Sequence, residues 1–413
     1  MAKLSLNSIS PSVFKVNASE VEDGSNTRAT IVSAGRTLAY EHARKGQERL
    51  YRAMNKGTEA ATKMLSNEQY KELNERFQHE HLVYAATKVC EFTGENAPQN
   101  FDEFKRVAMK FYGNSHFYAV LQGIYQEIIT PILPRVYSEA VDVFADTVEV
   151  NFGETYSVSI NSNSIPVFQD SAWGASRSVP ENTFYSKDYV LNPTPRTAEI
   201  SVKYMQLISN NMDFGAFFAN LTAGMYAKTM GLWNAGMTAL TSNTTLLPSA
   251  LKGTFSATNW VALANKVAAL NNTSISNVIG IGSPVALAKV LPQEVTGSTN
   301  VQMDAAIAML LGADYIRAGY LGEYMSNRLL PIQDVIIPST QNTNPTTMLS
   351  GSQVWLMASN GRKPMTIGYN SGTPITLEID PMKAADFKMR MNVTMSIDSV
   401  LVVASKIGLI TIS

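Results

Sequence analysis

The sequence predicts an α+β fold of two or three bodies, and three observations lead to it. Charge density roughly halves along the chain, with about 30 charged side chains in residues 1–116 and about 37 in residues 117–413, a shift that marks a change of structural role. Apolar residues recur every three or four positions early and every second position later, the signatures of helix and then strand. All four histidines (His42, His79, His81, His116) and the one cysteine, Cys90, precede Phe117. Beyond that point catalysis would have to run on carboxylates, Lys, Ser or Tyr, which lowers the weight of an enzyme reading.

Composition narrows the class further. A net charge of −1 over 413 residues gives no basic field for nucleic acid or anionic membrane. One cysteine allows no intrachain disulfide and no cysteine-built zinc site. No apolar run is long enough to span a bilayer, and the first ten residues lack the apolar stretch of a secretory signal.

Along the chain, a polar tail of about 30 residues precedes charged amphipathic helices predicted at 34–56, 66–92 and 101–112. A fourth helix, 116–144, is broken near Pro131 and Pro134. Alternation at 147–152 and 155–160, with Gly153 between, predicts a hairpin. Residues 161–188, rich in Ser, Asn and Pro, read as a long extended loop. A strand over 197–209 leads to the capping residues Asn210, Asn211 and Asp213, then to one long helix, 213–240. The remainder alternates helix and strand: helices at 258–270, 283–291 and 302–311, strands at 276–282, 335–337, 354–358, 365–369 and 375–379. A long closing pair is expected at 386–397 and 399–412. Ser283 followed by Pro284 is a helix start.

Few motifs carry chemistry. Gly280-Ile-Gly-Ser-Pro-Val opens like a dinucleotide turn, but Val285 stands where a third glycine belongs, so a strand–turn–helix bend is the plainer account. His79-Glu80-His81 places two imidazoles about 200° apart on a helix, so they share no metal; a solvated face is expected. No catalytic, cofactor-binding or metal-ligating residue is assigned. The aromatics Phe168, Trp173, Phe184, Tyr185 and Tyr189, in and beside the extended loop, are the best interaction signal, because a loop cannot bury them on its own.

This order of parts resembles the major capsid proteins of tailed phages with the Hong Kong 97-like fold, over residues 115–413. The extended loop corresponds to 146–200 and the strand Ser201-Val-Lys-Tyr-Met-Gln-Leu-Ile-Ser enters a spine helix at 213–240 within a peripheral domain, 201–255. The axial domain corresponds to 256–340 and the closing strands to 341–413. Residues 116–145 correspond to the arm. Residues 1–115 depart from a simple arm, and the family offers a delta-like scaffolding region or an elaborated arm. The resemblance implies a structural, non-enzymatic protein that assembles with itself into hexamers and pentamers of an icosahedral shell. That shell encloses double-stranded DNA without sequence-specific binding, in a virion assembled in the host cytoplasm. Scaffolding, portal and decoration proteins are the further partners it offers, with no cofactor and no membrane. It casts the loop aromatics as intersubunit contacts, Gly224 and Gly231 as points where the spine flexes, and Lys187 as a weak cross-linking candidate. The alternatives are an encapsulin-type compartment shell, which shares the fold, and an α/β enzyme using carboxylate or Ser/Lys chemistry.

Overall fold

The computed structural model describes residues 27–53, 65–132, 145–151, 153–161, 186–209, 212–244, 247–291, 319–332 and most of 334–412. Four helices come first: α1 (Thr27–Ala53), α2 (Asn67–Thr93), α3 (Phe101–Phe111) and α4 (Ser115–Ile129). Local signals set their ends. Ser66 and Gln69 form a reciprocal capping box at the start of α2, and Gly94, with φ of +72°, ends it. Asn100 and Asn114 cap α3 and α4. On α3, Phe101, Phe104, Ala108 and Phe111 lie three or four apart and all are buried. The fourth helix stops at Ile129, before Pro131, and the expected continuation to 144 lies largely outside the described residues.

A five-stranded sheet runs β1 (Ala145–Glu149), β10 (Met365–Asn370), β12 (Lys388–Leu401), β11 (Ile375–Glu378), and β4 (Thr194–Lys203) pairs with ten residues of β12. A separate six-stranded sheet runs β5 (Lys252–Thr254), β13 (Gly408–Thr411), β9 (Gln353–Ala358), β6 (Val278–Gly282), β8 (Asn327–Pro331), β7 (Glu323–Tyr324). Strands β2 (Tyr156–Asn161) and β3 (Ser186–Leu191) form a ribbon of their own. Between the bodies lie a short helix, α5 (Tyr204–Ile208), and the long α6 (Phe214–Ser242). At 29 residues, α6 is about 43 Å long. Helices α7 (Ala257–Leu270) and α8 (Pro284–Ala288) pack with the six-stranded sheet.

Four expectations need correction. The stretches around Gly153 do not form a hairpin: Gly153 does turn at φ +81°, but β1 pairs in parallel with β10 while β2 pairs with β3. The strand through 197–209 ends at Lys203, because Tyr204 and Leu207, three apart, both reach the core only on a helix. The closing strands are not partners; β12 continues through Ser399 to Leu401 and β13 joins the other sheet. Near Val335–Ile337 there is only an isolated bridge, Ile336 to Thr347. The helix expected at 302–311 lies outside the described residues.

The strand–turn–helix reading holds with its bend at Ser283, while Gly280 itself lies within β6, where packing explains it. A Cβ there would lie 2.7 Å from Leu329 Cδ2 and 3.1 Å from the Trp260 ring, so glycine lets the strand pass beneath Trp260 without displacing either side chain. Trp260 Nε1 donates to Asn327 Oδ1 at 2.9 Å, and Asn327 Nδ2 donates to the carbonyls of Ile275 and Val278. Ser283 caps α8 through Ala286 N–H.

Candidate functional site

The long helix α6 is where the bodies meet, and its two halves are held by different chemistry. At its start, Asp213 Oδ1 accepts from Ala216 N–H at 3.0 Å, the capping bond. The same oxygen accepts from Tyr70 Oη at 2.7 Å. Four residues along α2, Asn74 accepts from Phe214 N–H at 3.0 Å and donates to the Met212 carbonyl at 2.8 Å. Four further on, Gln78 Nε2 donates to the Leu207 carbonyl at 2.6 Å. Spacing of four puts these three side chains on one stripe of α2, and the stripe pins the chain as it enters α6. From the other side, Tyr204 Oη donates to the Ala108 carbonyl of α3 at 2.7 Å. Burial first, then the bond to Asp213, pushes the Tyr70 hydroxyl far above its ordinary pKa.

Beneath the stripe is an aromatic cluster. Phe77, Phe214 and Tyr125 surround His81, with ring centroids 4.8 Å, 5.0 Å and 5.8 Å from the imidazole, and Phe218 packs against all three of those rings. His81 is fully buried, so the solvated face expected for His79-Glu80-His81 holds only in part. His79 points elsewhere and stacks on Phe101 at 3.9 Å. The Phe77 carbonyl, 2.6 Å from His81 Nδ1, can only accept, so Nδ1 is assigned the proton and Nε2 the bond from Tyr125 Oη at 3.1 Å. Burial pushes the His81 pKa down to about 4. Backbones come close here as well: a Cβ on Gly215 would lie 2.8 Å from the Leu38 carbonyl of α1 and would overlap Tyr70 Oη.

The second half of α6 lies on the five-stranded sheet. A Cβ on Gly236 would overlap Met365 Cε and lie 3.3 Å from Leu401 Cδ2. Asn234 Nδ2 donates to the Met348 carbonyl at 3.1 Å, tying in a loop that Asp334 holds through the N–H groups of Met348 and Leu349. Of the two glycines expected to matter, Gly224 is exposed with open space where a Cβ would go, and Gly231 faces Met348 at an ordinary 3.7 Å. Close packing along α6 rests on Gly215 and Gly236.

On the opposite sheet face sits the root of the β2–β3 ribbon. Val158, Leu191 and Val402 form a small second core there, and Tyr189 packs half-buried against it. Asn192 N–H donates to Asp398 Oδ2 at 2.9 Å. Phe168, Trp173, Phe184 and Tyr185 lie outside the described residues, as does the Lys187 side chain. Among the described residues, no three His, Cys, Asp or Glu side chains gather as a metal site, and no helix is long and apolar enough to cross a membrane. An open groove of ≈ 550 Å³ beside Val83, Thr87 and Ala97–Gln99 contains no titratable side chain.

No family model matches the chain, and no curated protein matches it. Among solved structures, capsids are what it is similar to. The capsid of cyanophage P-SCSP1u aligns with a TM-score of 0.42 and 9% identity, over 66% of this chain and 87% of that one. The capsid of a native GTA particle gives 0.43 and 13%, over 67% and 90%. A virus-like particle from Pyrococcus furiosus gives 0.37 and 12%, over 67% and 95%. At TM-scores below 0.5 these likenesses are remote, and the functional assignment is left to the chain's own residues and topology.

Proposed function

We propose that this chain is a structural subunit of a tailed-phage capsid, assembling with itself into the hexamers and pentamers of a shell around double-stranded DNA. The observation that carries the reading is one connected pattern. A ribbon, β2–β3, leads through the long edge strand β4 into a 29-residue helix. The C-terminal strands then return to both sheets, β12 to the first and β13 to the second. That is the order of extended loop, spine, axial domain and closing strands on which the sequence resemblance rests. Edge exposure supports it: β4 shows exposed or half-exposed side chains along its whole length, and such an edge needs a cover or a partner. Identical subunits meeting through unlike surfaces close into rings, the geometry of a capsomer. The near-neutral charge suits a wall that contains DNA without gripping it.

Negative-stain electron microscopy of the chain expressed alone, after size-exclusion chromatography, tests the proposal. Closed shells, tubes or capsomers with sixfold or fivefold outlines are expected. A stable monomer that stays unassembled when co-expressed with the scaffolding protein of its own gene neighbourhood would refute it. Particles packed with protein cargo and free of DNA during infection would favour a compartment shell.

A further inference from the structure

We infer that the helices α1–α4, within residues 27–132, are a permanent part of the subunit, clamped to the start of α6, and not a segment released during assembly. The inference rests on the capsid reading only for the word assembly; the clamp itself is a property of the chain.

A removable segment must leave behind a surface that water can cover. Here it would leave the reverse. Phe214, Phe218, Tyr204 and Leu207 are each 0% exposed, and the first helices supply much of their cover, through Phe77, His81, Tyr125 and the Ala108 carbonyl. Removal would also strip Phe214 N–H, the Met212 carbonyl and the Leu207 carbonyl of their side-chain partners on α2. Unpaired backbone groups at a helix entry are costly unless something replaces those partners. The helices would fare no better alone, since the ring faces now meeting α6 would open to water.

The approach of backbones argues the same way. Gly215 admits the Leu38 carbonyl and Tyr70 Oη to a distance no Cβ would allow. Packing of that tightness, joined to a stripe of three hydrogen-bonding side chains at positions 70, 74 and 78, is what a folded core shows. The hydrophobic residues of the four helices, of α6 and of both sheets form one continuous core.

Hydrogen exchange and intact mass, measured together on the full chain, test the inference. In assembled particles the subunit mass should retain residues 27–132. Amides of α2 from Tyr70 to Val89 and of α6 from Phe214 to Thr222 should show matching protection. Asn74→Ala should lower both sets together by about tenfold, while β6 and β9 stay unchanged. Tyr70→Phe is the milder variant should Asn74→Ala not fold, and it should move both sets in the same direction. Particle subunits that begin beyond Ile132 yet keep a protected α6 would overturn the inference. So would α2 exchanging at least about tenfold faster than the start of α6, in either variant. If no particle ever forms, the capsid reading fails, and the exchange comparison on the soluble chain still decides this one.

Discussion

Acid should loosen the joint between the first helices and α6, and His81 should be the reason. Its pKa is held down at about 4 by burial, against an ordinary 6.5, and no carboxylate lies among the groups that perturb it; the only charged one is His79, which pushes the same way. The unfolded chain therefore binds a proton near the ordinary value while the folded chain resists until far lower pH. The stabilisation is full above roughly pH 6.5 and is lost as pH falls toward about 4. Over the whole window that is about 3 kcal/mol, and near pH 5 about 2 kcal/mol, or about 30-fold in a local opening constant. Hydrogen exchange of amides from Phe77 to Ala86, corrected for intrinsic rates, should show that loss of protection between about pH 7.5 and pH 5. The control is His81→Phe combined with Tyr125→Phe, which replaces both polar partners by rings of similar shape. Carboxylates titrate equally in both proteins and cancel. If the double variant loses as much protection as the parent, burial of a neutral His81 is not what makes the joint acid-sensitive.

The glycines of α6 should separate by position. Gly215→Ala and Gly236→Ala should each destabilise by about 2 kcal/mol or more through overpacking, whereas Gly224→Ala should stabilise by up to about 1 kcal/mol; thermal unfolding of the three variants checks the order. Asn327→Ala orphans Trp260 Nε1 and two buried carbonyls and should cost about 3 kcal/mol or more, read as a lower denaturant midpoint. The β7–β8 turn holds Met325 and Ser326 at φ of +48° and +63°, a conformation that suits glycine, so Ser326→Gly should raise the melting temperature, by about 1 kcal/mol of stability.

The sequence was most legible where local rules act alone. Helix starts with strong caps are legible nearly to the residue, at Ser66 on α2 and at Ser283 and Pro284 on α8, although α8 ends at Ala288 rather than at 291. It was least legible where partners are distant. Alternation identified β1, β2, β12 and β13 as strands, but period-two patterns say nothing of which strand pairs with which, and β1 joins β10 some 220 residues away. The clamp went unread for a related reason. Asn74 and Gln78 look like ordinary polar helix residues until the chain entering α6 is laid beside them. The one available signal was their spacing, which places them on the same inward stripe as Tyr70 and His81. The 200° separation of His79 and His81 excludes a shared metal but does not say which of them faces inward, whereas helical periodicity over a wider window sets His81 with Phe77, Ala85 and Tyr70.

The contrast between the two halves of α6 bears on how the proposed shell subunit can change shape without unfolding. The first turns are gripped by aromatic rings, each with two torsions, and by directional hydrogen bonds that break if the helix slides by an ångström or two. The later turns approach the sheet at Gly236, against Met365 and Leu401, and methionines are frequent on both elements: Met225, Met230 and Met237 on the helix and Met365, Met389, Met391 and Met395 on the strands are all buried. Methionine has three soft torsions and refills irregular gaps, so a shift there exchanges one set of contacts for another of similar energy. Gly224 falls between the two regimes, exposed and with no neighbour within 4 Å of its Cβ position. If the spine flexes at Gly224, as the sequence resemblance implies, the bend falls after residue 222, and the helices clamped to the first third move with it as one body.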